Sequence, residues 1–309
     1  MTKIRETGNS SMIDDRRGQS SGGRGGGFAF PGLGGRSSSG GGLGFPLKAG
    51  GGLIGLVLTL AVVLLPKLLG GVALPSSNAL APVTGQNTES SGATCDDELE
   101  SILCGATIDV QTFWQRNFES RGETYEVTKT VFFSGSTDTG CGQASSQTGP
   151  FYCPSDHLVY FDLDFLVQLQ DQFGAQGDLA SAYIVAHEYG HHVQNLLGIN
   201  AKVRQAQQND PDRANQYSVA LELQADCLAG IWARDAAARS QFDSEQEISE
   251  AVNAAAAVGD DRIQQTTQGR VNPETFTHGT SEQRVSWFNR GYGSGDLNSC
   301  NTFDEVVGS

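Results

Sequence analysis

The chain has 309 residues, of which 40 are glycine and 38% are hydrophobic, and its formal net charge is −15. Residues 1–48 carry seven basic and three acidic side chains, whereas the rest of the chain carries 13 basic and 32 acidic ones. Phosphate binding requires a positive surface on the folded part, so this distribution argues against nucleic acid as the main partner.

The N-terminal region is predicted to be a tail followed by a membrane segment. Residues 19–52 are mostly Gly, Ser and Arg. Because such a segment buries too little apolar surface to offset the entropy of ordering, we expect residues 1–48 to form a disordered basic tail. The apolar run at 53–65 is shorter than the roughly 20 residues that cross a bilayer. When this run is extended to residues 49–74 it is long enough to cross the bilayer, and we therefore predict a transmembrane helix there.

The charges that flank this segment predict its orientation. Basic residues precede it, which favours a cytoplasmic N-terminus and an extracytoplasmic domain at 94–309. Residues 75–93 are rich in Ser, Pro, Gly and Asn and are predicted to be a linker. A cleaved signal peptide is the alternative, because residues 79–81 (Ala-Leu-Ala) resemble a cleavage site. The leader would be unusually long, however, and Pro82 would directly follow the cut. We therefore expect a single-pass anchor in the cell membrane.

All six cysteines follow the predicted membrane segment. In an oxidising compartment an even number of cysteines predicts disulfides. Proximity along the chain suggests the pairs Cys95–Cys104 and Cys141–Cys153, which leaves Cys227–Cys300. A zinc site made of cysteines is disfavoured, because the sequence contains no C-x-x-C pair.

The spacing of apolar residues predicts an α+β domain that is mostly helical and has a small sheet. Strands are predicted at 125–133, 151–153 and 158–161, with a loop at 134–149. Helices are predicted at 96–103, 108–118, 164–173, 178–198, 216–238, 244–258 and 281–289. In the helix predicted at 178–198, Asp178 is the predicted N-cap and Gly198 the end.

One predicted helix carries the motif His187-Glu188-Tyr189-Gly190-His191, which has the form H-E-x-x-H. Positions four residues apart lie on one helix face, so His187 and His191 can bind a single ion. Glu188 is then placed to contact a metal-bound water as general base. Zinc lowers the pKa of such a water to about 7. The motif predicts one Zn²⁺ ion and a hydrolytic reaction.

A catalytic zinc needs a third protein ligand and an open fourth position. Glu222 on the next long helix is the predicted third ligand. Asp226, one turn later, is predicted to accept a hydrogen bond from a ligand histidine and fix its tautomer. The E-x-x-x-D pattern after H-E-x-x-H resembles the arrangement in gluzincin-type peptidases.

The three other histidines have different predicted roles. His192 lies about 100° around the helix from His191, so we expect a structural or rim position for it. His157 has no zinc-ligand spacing and is expected not to be a ligand. His278 lies in a loop before the last helix, where it is a candidate for stabilising an oxyanion during catalysis, with a plain packing role as the alternative.

Several segments resemble the bacterial neutral zinc metallopeptidase family. They are His187-Glu188-Tyr189-Gly190-His191-His192-Val193-Gln194, Glu222-Leu223-Gln224-Ala225-Asp226-Cys227, His278-Gly279-Thr280-Ser281-Glu282-Gln283-Arg284 with Trp287-Phe288, and Asp14-Asp15-Arg16-Arg17-Gly18 before the Gly-rich stretch. The resemblance implies a zincin-like domain and no loss of metal ligands, and it leaves the substrate open.

These observations predict a membrane-anchored zinc metallopeptidase that acts on a peptide or protein substrate outside the membrane. By analogy with other zincins, the strands within 151–161 are expected to offer an edge to an extended substrate. Two alternatives remain. One is a non-enzymatic envelope module with a structural zinc, although such sites usually have four protein ligands. The other is a zinc amidase that acts on cell-wall peptides.

Overall fold

The computed structural model describes residues 3–8, 10–18, 95–173, 177–242 and 245–308. Their strands are β1 (Ile13–Asp15), β2 (Thr130–Phe133), β3 (Ser136–Thr139), β4 (Gly142–Ser145), β5 (Phe151–Cys153) and β6 (Leu158–Asp162). Their helices are α1 (Glu98–Ser120), α2 (Leu163–Phe173), α3 (Asp178–Leu196), α4 (Ile199–Asn209), α5 (Ala214–Ala238), α6 (Glu245–Ala257), α7 (Asp260–Gln268), α8 (Ser281–Ser294) and α9 (Thr302–Val306). The prediction of a mostly helical α+β protein with a small sheet is confirmed.

The main sheet has four strands in the order β1-β2-β6-β5. β1, β2 and β6 are parallel, whereas β5 is an antiparallel edge strand beside β6. A separate hairpin, β3–β4, occupies the predicted loop at 134–149. Side chains on one face of the sheet join the large core shared with the helices, and the other face forms a small second cluster.

Several predicted boundaries differ from the structure; the strand predicted at 125–133, for example, spans only Thr130–Phe133. Two of the differences have local reasons. The predicted helices at 96–103 and 108–118 are one helix, α1, which continues through Gly105. Asp178 is the first residue of α3 and does not cap it; Gly177 holds the N-cap position. The Asp178 carboxylate instead accepts a hydrogen bond from Arg5 at 2.8 Å.

Residues 3–8 and 10–18, which we name the N-terminal arm, belong to the folded domain. β1 lies in this arm and pairs with β2, and Ile4 and Ile13 are buried, with exposed fractions of 3% and 5%. The expectation of disorder throughout residues 1–48 is therefore wrong for the arm. The composition argument rested on the Gly/Ser-rich residues from 19 onward, whereas the arm has apolar side chains and a backbone partner.

No helix among the described residues is both long enough and apolar enough to cross a membrane. The predicted transmembrane segment at 49–74 and the linker at 75–93 lie outside the described residues.

The three expected disulfides are present. Cys95–Cys104, Cys141–Cys153 and Cys227–Cys300 have Cα–Cα distances of 6.3, 5.8 and 5.6 Å, within the usual range for this bond. The first two close short loops, and the third ties α5 to the segment before α9.

The helices α3, α5 and α8 pack closely, and we name them the helical core. A Cβ on Gly190 of α3 would lie 3.1 Å from the Ala225 carbonyl oxygen on α5. Cβ atoms on Gly230 and Gly291, where α5 meets α8, would lie 2.1 and 1.9 Å from carbonyl oxygens of the facing helix. A larger residue would clash at Gly230 and Gly291 and would be tightly placed at Gly190, so glycine helps to set the helix spacing that brings the side chains of the site together.

Candidate metal centre

Three predicted ligands converge between α3 and α5. One ligand atom each of His187, His191 and Glu222 can be chosen so that all lie within 4.8 Å of one another. The two Glu222 oxygens lie 3.2 Å from His187 Nε2 and 3.4 Å from His191 Nε2. All three side chains are buried. Two imidazole nitrogens and one carboxylate are the ligand set of a catalytic zinc site with three protein ligands.

The electrostatics of the cluster favour ionised Glu222. Burial opposes its charge, but His191 and His187, and more weakly His278, hold the pKa of Glu222 well below its usual value. Burial alone would lower the pKa of His187, yet the attraction of Asp226 and its hydrogen bond, with help from Glu222, raise that pKa to about 9. Protons and a metal cation therefore compete for the same histidine.

Asp226, the predicted partner of a ligand histidine, lies against His187. Its Oδ1 lies 2.8 Å from His187 Nδ1. A proton on Nδ1 donates to this carboxylate, which leaves Nε2 facing Glu222 as the metal-binding nitrogen. Tyr183 also donates to Asp226 Oδ1, at 2.5 Å.

Arg284 on α8 completes this network, and the sequence analysis assigned it no role. Its Nε and Nη2 donate to the two Asp226 oxygens, both at 2.8 Å, and Nη2 lies 3.1 Å from the Tyr183 hydroxyl. Only 1% of Arg284 is exposed. Burial opposes ionisation of Asp226, but Arg284 and His187 together lower its pKa. The bidentate pair thus keeps Asp226 charged inside the protein.

His191 is oriented by a separate chain of amides. Its Nδ1 lies 2.8 Å from Gln194 Oε1, and Gln194 Nε2 donates to the Leu221 carbonyl at 2.7 Å and to Gln224 Oε1 at 3.1 Å. Gln224 in turn donates to the carbonyl of Cys300 at 2.9 Å. The imidazole therefore depends on α5 and on the segment that the Cys227–Cys300 disulfide anchors.

Glu188, the predicted general base, lies beside the ligand His187 at a small cavity. It is 1% exposed, and its Oε1 has no hydrogen-bond partner in the described part of the chain. Burial raises its pKa, although His187 and His191 oppose the shift. A cavity of about 20 Å³ lies against Glu188, His187 and Pro150, which is enough for about one water molecule. A buried carboxylate oxygen without a partner fits a site where a bound water supplies the missing hydrogen bond.

His278 lies close to this cluster but outside the three-ligand group. Asp260, at the start of α7, accepts hydrogen bonds from His278 Nδ1 at 3.0 Å and from the backbone N–H groups of Thr277, His278 and Gly279 at 2.7, 2.7 and 3.1 Å. His278 is 5% exposed, and its electrostatic interaction with Glu222 contributes to the lowered pKa of that carboxyl group. One carboxylate therefore fixes the loop and the ring together.

A capping box at the N-terminus of α8 ends this loop at Thr280. Thr280 accepts a hydrogen bond from Gln283 N, and the Gln283 side chain accepts one from Thr280 N. The helix that follows carries Arg284 in its first turn. The segment from His278 to Arg284 thus contributes one side chain that acts on Glu222 and another that binds Asp226.

The remaining histidines lie away from the cluster. His192 is fully buried, and its two nitrogens lie 3.1 Å from the Tyr152 hydroxyl and 2.7 Å from the Glu126 carbonyl oxygen. Burial lowers the pKa of His192 to about 4. His157 is half exposed, has a φ of 63° and makes a 3.8 Å approach to Glu126.

Sequence reasoning missed Tyr183, Gln194, Gln224, Asp260 and Arg284 as parts of the site. Three of them, Gln194, Gln224 and Arg284, lie inside the segments that carry the family resemblance. Their polar side chains in those segments were the signal that could have identified them. Nothing in the sequence distinguishes Asp260 from other acidic residues at helix starts.

Comparison with known proteins agrees with this geometry. The family model described as "Putative neutral zinc metallopeptidase" matches residues 2–303. The chain is 46% identical over 277 residues to "Uncharacterized protein YpfJ" of Escherichia coli K12, covering 88% of this chain and 95% of that protein. It is 53% identical over 181 residues to "Uncharacterized protein Rv2575" of Mycobacterium tuberculosis, covering 55% of this chain and 60% of that protein.

No solved structure matches the chain. The family match spans the N-terminal arm, the metal-ligand cluster and the His278–Arg284 segment. The chain belongs to the neutral zinc metallopeptidase family.

Proposed function

We propose that the protein is a zinc-dependent hydrolase of peptide bonds, with one Zn²⁺ held by His187, His191 and Glu222. The observation that carries this proposal is the pairing of a three-ligand cluster with the partnerless buried oxygen of Glu188. A structural zinc is usually enclosed by four protein ligands and has no use for an adjacent free carboxylate. When bound, zinc acts as a Lewis acid and lowers the pKa of a coordinated water.

The residues around the ion have separable roles. Glu188 accepts the proton of the attacking water and passes it to the leaving amine, a role that its raised pKa suits. His278, held by Asp260, donates a hydrogen bond to the oxygen that becomes negative as the carbonyl carbon turns tetrahedral. Asp226 and Gln194 keep the two ligand imidazoles in their binding orientation.

In this proposal a peptide substrate docks on the edge strand β5, beside these groups. β5 is the last strand of the main sheet and packs against α3, and Pro150 directly before it lines the cavity next to Glu188. An extended peptide that adds to β5 would pass along α3 at Glu188. Because the cavity holds about one water, Pro150 and Leu169 must move away from Glu188 before a peptide bond reaches it.

The decisive test replaces the proposed base and leaves the ligands intact. Glu188→Gln should bind one zinc per chain, as measured by metal analysis of the purified protein, yet lose about 10²- to 10⁴-fold in turnover of an unfolded protein substrate. Glu119→Gln, on an exposed part of α1, is the matched control and should retain full turnover. Full activity of Glu188→Gln would rule out this mechanism.

The same pair of proteins addresses the bond that is cleaved. Purified wild type and Glu188→Gln can be offered a quenched-peptide library and, separately, cell-wall muropeptides. Cleavage of the library by wild type alone supports a peptidase. Cleavage of muropeptides alone supports the amidase alternative, and zinc binding with no cleavage of either leaves the envelope module as the better description.

The role of His278 has its own signature. His278→Ala should reduce turnover by about 10²- to 10³-fold, the usual effect of removing an oxyanion donor, while the zinc content stays at that of wild type. His157→Asn is the control, because His157 is half exposed and asparagine tolerates its positive φ. Loss of zinc from His278→Ala would show instead that the residue supports the metal cluster.

A further inference from the structure

The N-terminal arm is a built component of the domain. β1 pairs in parallel register with β2, and backbone hydrogen bonds from Thr130 N to Met12 O (2.9 Å) and from Arg16 N to Phe132 O (2.8 Å) extend the pairing on both sides. The side chain of Ile13 lies in the main core. The arm therefore completes the sheet at the edge opposite β5.

The arm also packs closely on α1. A Cβ on Gly105 would lie 2.8 Å from the Cα of Arg5, so only glycine permits this approach. Glu6 N donates to the Ser101 carbonyl at 3.0 Å, and Cys95 N donates to the Gly8 carbonyl at 3.0 Å. The glycine in the middle of α1, which costs roughly 1 kcal/mol in helix propensity, is explained by the arm that it accommodates.

The basic residues of the arm have partners in the fold. Arg5 pairs with Asp178 at 2.8 Å and with Glu98 at 3.2 Å. Arg17 bridges Asp15 within the arm and the buried Glu100 of α1. Arg5 and Arg17 are two of the seven basic residues in 1–48 from which a cytoplasmic N-terminus was predicted. In the structure they serve to dock the arm onto an acidic domain.

The docked arm conflicts with a single membrane crossing. The domain from Cys95 onward contains three disulfides, which form in oxidising compartments. A chain that crossed the bilayer once between Gly18 and Cys95 would place the arm and β2 on opposite sides. β1 and β2 could then not pair.

We infer that the N-terminal arm and the disulfide-bonded domain lie on the same, extracytoplasmic side of the membrane. The arm then supplies an edge strand of the exported domain, and the cytoplasmic N-terminus predicted from the flanking charges is replaced by an extracytoplasmic one.

An engineered disulfide tests this inference in cells. Asp14 and Val131 are register partners in β1 and β2, and adjacent strands are about 4.8 Å apart, within the distance that a disulfide spans. Full-length D14C/V131C, expressed in cells with the native disulfides intact, should form the 14–131 cross-link in most chains, as quantified by peptide mass spectrometry without reduction. D14C alone, and D14C with Cys at the exposed Ala201, should show no such cross-link.

A second readout locates the N-terminus directly. An epitope tag placed ahead of Met1 should be digested when protease is added to intact spheroplasts.

The control is purified D14C/V131C oxidised in solution, which shows whether residues 14 and 131 lie close enough to form a disulfide. A cross-link that forms in solution but not in cells, together with a protected tag, would overturn the inference. No cross-link in either setting would overturn the docking of the arm, and protection of both tag and domain would overturn their extracytoplasmic location.

Discussion

Two regions of the molecule are stabilised in different ways. One is the helical core, and the other, which we name the sheet side, consists of the main sheet and the N-terminal arm. In the helical core, charged groups such as Asp226 and Arg284 are buried and pair with one another across helices that glycines hold close together. On the sheet side, the N-terminal arm is held by apolar side chains, backbone pairing and ion pairs such as Arg5–Asp178 that solvent partly reaches. A lost partner in the core leaves a charge without water, whereas a lost partner at the arm leaves one that water can solvate. The chemistry of the protein is concentrated where that cost is highest.

The largest loss of stability should come from removing an arginine of the helical core. Arg284→Met removes the two Arg284 donors from buried Asp226, which keeps its contacts with Tyr183 and His187. It should lower the free energy of unfolding by about 3–5 kcal/mol, the usual cost of breaking a buried ion pair. It should also weaken zinc binding by about 10- to 100-fold, because Asp226 without its cation holds His187 less firmly. Chemical denaturation and a competitive zinc titration measure the two effects.

Arg290→Met is the control on the same helix, because Arg290 pairs with Glu305 at the surface and its side chain is 40% exposed. Its effect should stay within about 1 kcal/mol. Equal losses for the two variants would mean that the Asp226 network contributes no more than a surface pair, and the comparison between the two regions would fail.

The metal centre could be predicted from the sequence because its spacing is local. His187 and His191 are four residues apart on one helix, as are Glu222 and Asp226 on another, so helix geometry alone places each pair on one face. The two helices had to meet for the site to exist, and the family resemblance supplied that step. The disulfide between Cys227 and Cys300 followed only after the two short-range pairs were assigned.

Arg284, Asp260 and β1 were not predicted because their roles depend on contacts distant in sequence. Arg284 is 58 residues from Asp226, and no periodicity links them. β1 has three residues, too few to show a strand pattern, and its partner lies more than 100 residues later in the chain. The expectation of disorder came from the Gly/Ser-rich composition of the residues that follow, and composition gives no information about the pairing of the arm.

A buried histidine that joins the two regions gives a pH-dependent effect of intermediate size. His192 lies on α3 and contacts Tyr152 of β5. Its pKa is about 4 in the folded protein, whereas an unperturbed histidine titrates near 6.5. Between these values the unfolded chain binds a proton that the folded protein does not. Stability is therefore fully present above pH 6.5 and falls as the pH drops toward 4, by about 3 kcal/mol at most.

His192→Gln removes this titration. Denaturation curves at several values between pH 8 and pH 4 should show a smaller acid-induced loss of unfolding free energy for the variant than for wild type. Parallel pH profiles for the two proteins would indicate that the folded protein protonates His192 readily, contrary to its full burial.

The smallest effect should come from the matched substitution in the N-terminal arm. Arg5→Met removes the contacts to Asp178 and Glu98, but Asp178 is 22% exposed and Glu98 79% exposed, so water replaces the lost partner. The free energy of unfolding should fall by only about 0.2–1 kcal/mol, and zinc content should not change. Raising the salt concentration should shrink the difference further, since partly exposed pairs are screened. A loss as large as that of Arg284→Met would show that the arm is as sensitive to a missing charge as the helical core, and that partial exposure does not separate the two regions.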